Sequence, residues 1–479
     1  MSDAVIENRP VAPLFREAPA DDSIYRPFFK GSIVVVLSAG CSFGATNLFH
    51  MGRAHDFQSI PVDWTLAHAH AQILGWVGLF VMGFAYQAFP RFRQTRLSHP
   101  KLAILTLWLM IAGIALRLAT QLTLSRQGAL PYLMVSGALE IAAVTIFCAL
   151  IGRTMHGRPA PGAAPEKMVG GAFIMTGLLV FWLQTALGPV IDRALAGAPD
   201  QDAFVLFVAT WMGPFRDLQV LGFITMMIFG VSLRLLPAMF GTAGSAGSSP
   251  DEKAAAHERG LRGARRVYVL YAASLTVDMV CYVLFMRLQN PLYLLAVEAS
   301  YFGMLTAAVM IVRLTGVFGP TTGTDRGLKF VRAAYGWLLF SFVMFAAMWP
   351  YNLLTGIGFS HAYLSGARHA ITVGFISMMM MGMAARVVPM LRGLDARAEP
   401  SLWPAFILVN VGCALRVGLQ LATDFSQAVY PLMGVSGFIE VAGVVWWAVE
   451  IWRAMDSVQE RAPGAGSGNE TAGIAVAGG

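Results

Sequence analysis

Residues 64–92, WTLAHAHAQILGWVGLFVMGFAYQAFPRF, set His68 and His70 at the mouth of an apolar run long enough to cross a bilayer. An ionisable side chain inside such a span is costly enough to mark a functional site wherever a partner can be named. The rest of the chain has the same character. Of its 479 residues 56% are apolar and only 13% charged, and the mean hydropathy is +0.61, whereas soluble globular domains carry about 25% charged residues. Runs of spanning length lie near 31–49, 64–89, 102–123, 132–152, 168–189, 203–237, 267–288, 291–312, 330–349, 361–389, 402–422 and 430–452. This pattern predicts an all-α, polytopic membrane protein of twelve helices whose main partner is the lipid bilayer.

A net charge of +7 raises the question of nucleic acid, and the position of the basic residues answers it. The connections after even-numbered spans hold Arg91, Arg93, Arg96, Lys101, Arg153, Arg158, Lys167, Lys253, Arg259, Arg262, Arg265, Arg266, Arg313, Arg326, Lys329, Arg332, Arg392 and Arg397, eighteen in all. Those after odd-numbered spans hold four: Arg53, Arg126, Arg193 and Arg287. The positive-inside rule then places both termini and every even connection in the cytoplasm, and no basic surplus is left for nucleic acid. Residues 1–29 form a polar tail without the layout of a cleaved signal peptide. Residues 241–264 read as a charged linker and 457–479 as a disordered Gly/Ala/Ser tail. Cys41, Cys148, Cys281 and Cys413 lie singly in apolar spans with no CxxC or CxxCH, so disulfides and covalently attached haem are not expected.

The opening stretch also carries a ruler. Gly75, Gly83 and Pro90 are spaced by eight and seven residues, and the same spacing recurs in Gly222, Gly230, Pro237 and in Gly374, Gly382, Pro389. Each copy falls on the second helix of a four-helix set, which predicts three parallel repeats over 30–155, 166–318 and 328–456. Glycines eight apart share nearly one helix face, so packing alone accounts for that part of the pattern. The first and third copies agree further, with Arg117 and Arg416 each 27 residues after the proline, and Glu140 and Glu440 each nine after Pro131 and Pro431. Five residues before the first glycine stand His70, Asp217 and His369.

His70 and His369 thus occupy equivalent positions at one depth, and neutral imidazoles on facing helices suit a six-coordinate, low-spin haem b. The expectation is a haem between the second and tenth spans with His70 and His369 as axial ligands. The alternative is that both merely hydrogen-bond between helices. His68 points about 160° away from His70 on a helix, so one iron cannot take both, and His68 is expected to support the site or pack. Arg368 is expected at a haem propionate. Arg117, Arg234, Arg386 and Arg416 are open to the same role, or to pairing with Glu140, Glu440, Glu298 and Asp278. FHMGRAH in the first odd connection offers His50, Met51 and His55, ligand types that suit copper, though solvated loop histidines explain them as well.

Twelve helices in three sets, with histidines on the second and tenth and the phrase HAHAQILGWVGLFVMGFAYQAFPRF, resemble subunit I of haem-copper oxidases and nitric-oxide reductases. That resemblance implies copper-binding histidines on the sixth and seventh spans. This chain has Asp217 on the sixth and no histidine within 267–288, so the binuclear centre of those enzymes is missing and terminal reductase activity is not expected. The His, Gly and terminal Pro pattern of His70, Gly75, Gly83 and Pro90 is similar to that of the NnrS family. The similarity implies a haem-holding, copper-associated protein of the bacterial inner membrane, tied to nitric-oxide defence or denitrification, with an unnamed redox partner and an undefined reaction. Two rival readings stand beside it. Intramembrane charges such as Asp217, Asp278, Glu298 and Arg416, with Pro214 just before Asp217, suit a secondary transporter; a structural subunit of a respiratory complex would need no cofactor at the histidines.

Overall fold

The computed structural model describes residues 23–157, 168–240, 249–321, 325–394 and 399–457. Among them all regular structure is helical, and twelve helices are long and apolar enough to cross a membrane: α1 Tyr25–Ala54, α2 Val62–Arg93, α3 Pro100–Thr123, α4 Arg126–His156, α5 Gly171–Ala196, α6 Gln201–Pro237, α7 Asp251–Leu288, α8 Pro291–Thr315, α9 Leu328–Ala346, α10 His361–Arg392, α11 Trp403–Ala422 and α12 Gln427–Asp456. The chain is a multi-pass membrane protein. Of the expected termini, residues 1–22 and 458–479 lie outside the described residues, and α1 starts at Tyr25, earlier than the apolar run suggests.

The expected linker at 241–264 differs from the structure. Residues 241–248 lie outside the described residues, but from Pro250 the segment is helical and runs straight into α7. Ser249 caps the Glu252 N–H, the Glu252 carboxylate accepts from the Ser249 N–H, and Pro250 takes the first turn. This capping box with a proline at N1 starts a helix even in a charged, small-residue stretch.

Three helices form the centre. In α2, α6 and α10 the apolar windows are 89%, 78% and 78% buried, against 22% for α7 and 33% for α8. The outer helices turn large apolar side chains such as Trp108, Leu179 and Leu292 outward, as a lipid-facing surface requires. The glycine ruler sets how the central helices pack. A Cβ on Gly75 would lie 2.3 Å from Val35 and one on Gly83 2.6 Å from Phe28, both on α1. Gly230 faces Ile174 of α5 at 2.5 Å, and Gly374 and Gly382 face Trp337 and Phe330 of α9 at 2.4 and 2.8 Å. In each set the second helix therefore admits the first helix of the same set by lacking side chains there.

The backbone repeats as well. One residue after His70, Asp217 and His369 the α-helix widens into an eight-residue π-helical segment, Ala71–Gly78, Leu218–Thr225 and Ala370–Ser377. Such widenings are rare and cluster at functional positions. In two of them a hydroxyl takes up the altered ladder: Thr225 donates to the Val220 carbonyl at 2.9 Å and Ser377 to the Thr372 carbonyl at 3.1 Å. Each segment carries a buried aromatic at the same step, Trp76, Phe223 and Phe375. The Trp76 indole N–H donates to Ser377 at 3.2 Å and ties α2 to α10.

Candidate functional site

His68 and His369 are held by the same device. The His68 Nδ1–H donates to the Gly40 carbonyl of α1 at 3.0 Å, and the His369 Nδ1–H donates to the Ser365 carbonyl one turn back on α10, also at 3.0 Å. A carbonyl only accepts, so each ring carries its proton on Nδ1 and presents the Nε2 lone pair. The two rings lie within electrostatic reach of each other; Arg416 of α11 acts on both, and Arg216 of α6 acts on His68. Local sequence makes room for this. A five-residue π turn over Val36–Gly40 ends at Gly40, whose φ of −84° and ψ of −111° leave the helical region. One turn on, a Cβ at Gly44 would stand 2.3 Å from His68 Cε1. The imidazole lies in a cradle that only glycine leaves open.

His70 is committed elsewhere. Its Nε2 meets Glu140 Oε1 of α4 at 2.7 Å, and the Ser136 hydroxyl donates to the same oxygen at 3.4 Å. Beside them Arg117 of α3 grips Asp192 of α5 with two parallel bonds of 3.0 and 2.5 Å, with both side chains nearly fully buried. His70 and His369 are equivalent in sequence but face different neighbours, and the histidine that α2 turns toward His369 is His68. The packing beneath them does repeat: a Cβ on Gly113 would lie 2.7 Å from Glu140 Cγ, and one on Gly412 2.7 Å from Glu440 Cγ. His369 bonds along its own helix, and Glu440 has a buried Oε1 with no hydrogen-bond partner.

Arg368 reaches Asp217 of α6 at 3.7 Å. Arg416 donates to Gln420 on its own helix. Arg386 pairs with Asp325, and the Arg234 guanidinium sits over the Phe92 ring at 5.9 Å. His50 and His55 are exposed at the end of α1, each against one aromatic ring, Phe49 and Tyr430. Among the described residues no three His, Cys, Asp or Glu side chains converge as a metal-binding group.

Several residues of the site escape a reading of the sequence. Asp192, the true partner of Arg117, is legible only as a carboxylate within an apolar span. Gln184, Gln219 and Arg216 line a cavity with His70, and nothing in their spacing marks them. Gly40 and Gly44 belong to no repeat.

The fold and site define a polytopic helical membrane protein with half-buried histidines on its central helices and ion pairs between its spans. The chain belongs to the NnrS protein family, whose model matches residues 23–457, nearly its whole length. No curated protein matches it.

Proposed function

We propose that this chain is a haem-holding protein of the bacterial inner membrane, with both termini cytoplasmic, serving nitric-oxide defence or denitrification. The observation that carries the reading is the paired Nδ1 anchoring of His68 and His369, which leaves two Nε2 lone pairs on adjacent helices. Metal-binding imidazoles are commonly fixed this way by a carbonyl on the opposite nitrogen. The Gly44 cradle and the nearby Arg416 complete a donor set whose chemistry suits haem b: the two imidazoles would ligate the iron and the guanidinium would pair a carboxylate of the group. His70 stands outside this set, since Glu140 occupies its Nε2. A haem held by two imidazoles supplies one-electron transfer. The chain's own part is to fix both ring orientations through Gly40 and Ser365 and to keep Arg416 within electrostatic reach of them. Copper has less support, because His50 and His55 are exposed and belong to no three-residue ligand group among the described residues. The nitric-oxide association rests on family membership.

The test is a visible spectrum of the protein purified with ample haem supply, oxidised and reduced. A low-spin spectrum is expected, turning high-spin or vanishing in His68→Ala and in His369→Ala and persisting in His70→Ala. Absence of haem, or an unchanged spectrum in both of the first two variants, overturns the assignment. In cells, deleting the gene should slow growth under nitric oxide more than under ordinary aeration.

A further inference from the structure

Between α2, α3, α4, α5 and α6, toward the start of α2 and the ends of α3 and α5, lies a polar cavity lined by His70, Arg117, Glu140, Asp192, Arg216 and Gln219. Its charges are unevenly matched. Glu140 is taken by His70 and Asp192 by Arg117. Arg216 has no carboxylate within ion-pair distance among the described residues; its Nη1 donates only to the neutral Gln219 Oε1 at 2.7 Å. That amide is itself locked, since Gln219 Nε2 donates to Gln184 Oε1 at 2.8 Å and Gln184 Nε2 donates to Thr185 at 2.9 Å. The chain of amides fixes the guanidinium in place without neutralising it. Arg117 adds a second open donor, for it is 5% exposed and its Nε is buried with no acceptor. Asp192 acts on Arg216 from a distance but makes no hydrogen bond to it, and a guanidinium fork left with only a neutral acceptor matches planar oxyanions.

We propose that this cavity binds a small monovalent inorganic anion on Arg216, with Gln219 holding the guanidinium in register. The free volume, about 30 Å³, is that of about two waters, which suits an anion of one to three heavy atoms better than sulfate. The site neighbours His68, on which Arg216 also acts, but the anion would be held without haem.

The experiment is isothermal titration calorimetry of the full-length protein in neutral-lipid nanodiscs, with gluconate as the background anion, against chloride, nitrite, formate and sulfate. Saturable heat is expected with nitrite and formate, weaker heat with chloride and none with sulfate. Arg216→Gln should abolish it, while Arg216→Lys and Gln219→Leu should weaken it about tenfold, the size of one lost charge-assisted hydrogen bond. If Arg216→Gln fails to fold, the Lys and Leu variants decide. Saturable nitrite heat in protein whose visible spectrum shows no haem would uphold this proposal while overturning the haem assignment, which keeps the two results apart. No saturable heat with any small anion, or undiminished binding in the folded Arg216 and Gln219 variants, overturns the proposal.

Discussion

The His68 ring is held on both sides by α1: Gly40 accepts its Nδ1–H at 3.0 Å, and Gly44 leaves open the space that its Cε1 occupies. A methyl group at residue 44 would meet Cε1 at 2.3 Å, closer than any relaxed contact allows. Gly44→Ala should therefore displace the imidazole while leaving the helices formed, at about 1–3 kcal/mol of overpacking. Circular dichroism should stay helical while the haem spectrum of the purified protein shifts or weakens. A Gly44→Ala variant with the parental spectrum would show that the cradle does not set the ring.

Arg117 and Asp192 make a buried two-bond pair between α3 and α5. Removing one partner leaves a bare charge in the protein interior, which costs about 3–5 kcal/mol, whereas replacing both by apolar groups is often neutral. Arg117→Met alone should lower the thermal unfolding midpoint strongly, and adding Asp192→Leu should restore most of the loss. Two single changes whose effects simply add would mean that the pair contributes nothing as a unit.

Glu140→Gln keeps the shape of the His70 contact but removes its charge. Stability should fall by about 1–2 kcal/mol, the difference between a charge-assisted and a neutral hydrogen bond. Glu440→Gln at the equivalent position in the third set should cost less, because Glu440 has a buried oxygen without a partner. Equal losses at the two sites would contradict the different use of His70 and His369.

The twelve spans and the glycine ruler were legible because both follow from composition and fixed spacing, which every membrane helix and every close helix contact must respect. His68 and His70 were legible as ionisable groups within an apolar span, but the partner of each was not. The 160° between them on an ideal helix says only that they face apart. Which one turns to α10 depends on how α1 and α4 dock, and the carbonyl that fixes His68 comes from a π turn at Gly40 that no periodicity marks. The π segments after His70, Asp217 and His369 were equally hidden, since they shift the helical phase that sequence reasoning takes as constant.

The glycine ruler makes the last prediction, because its marks are not equally tight. A Cβ at Gly75 would lie 2.3 Å from Val35 and one at Gly374 2.4 Å from the Trp337 ring, but at Gly222 the nearest atom, on Val180, is 3.2 Å away. Val35 is stiff about χ1 and Trp337 donates from its indole to Asn410 at 2.9 Å, so neither neighbour yields readily. Gly75→Ala and Gly374→Ala should each lower stability by about 1–3 kcal/mol through overpacking. Gly222→Ala asks Val180 to give only a few tenths of an ångström and should cost well under either. Thermal unfolding of the three variants in one detergent checks the order. If Gly222→Ala is as damaging as the other two, the glycine is there for something other than the approach of α5, and the shared packing of the three sets fails at its second member. If the order holds, the three sets share one packing rule, graded by how closely the first helix of each approaches the second.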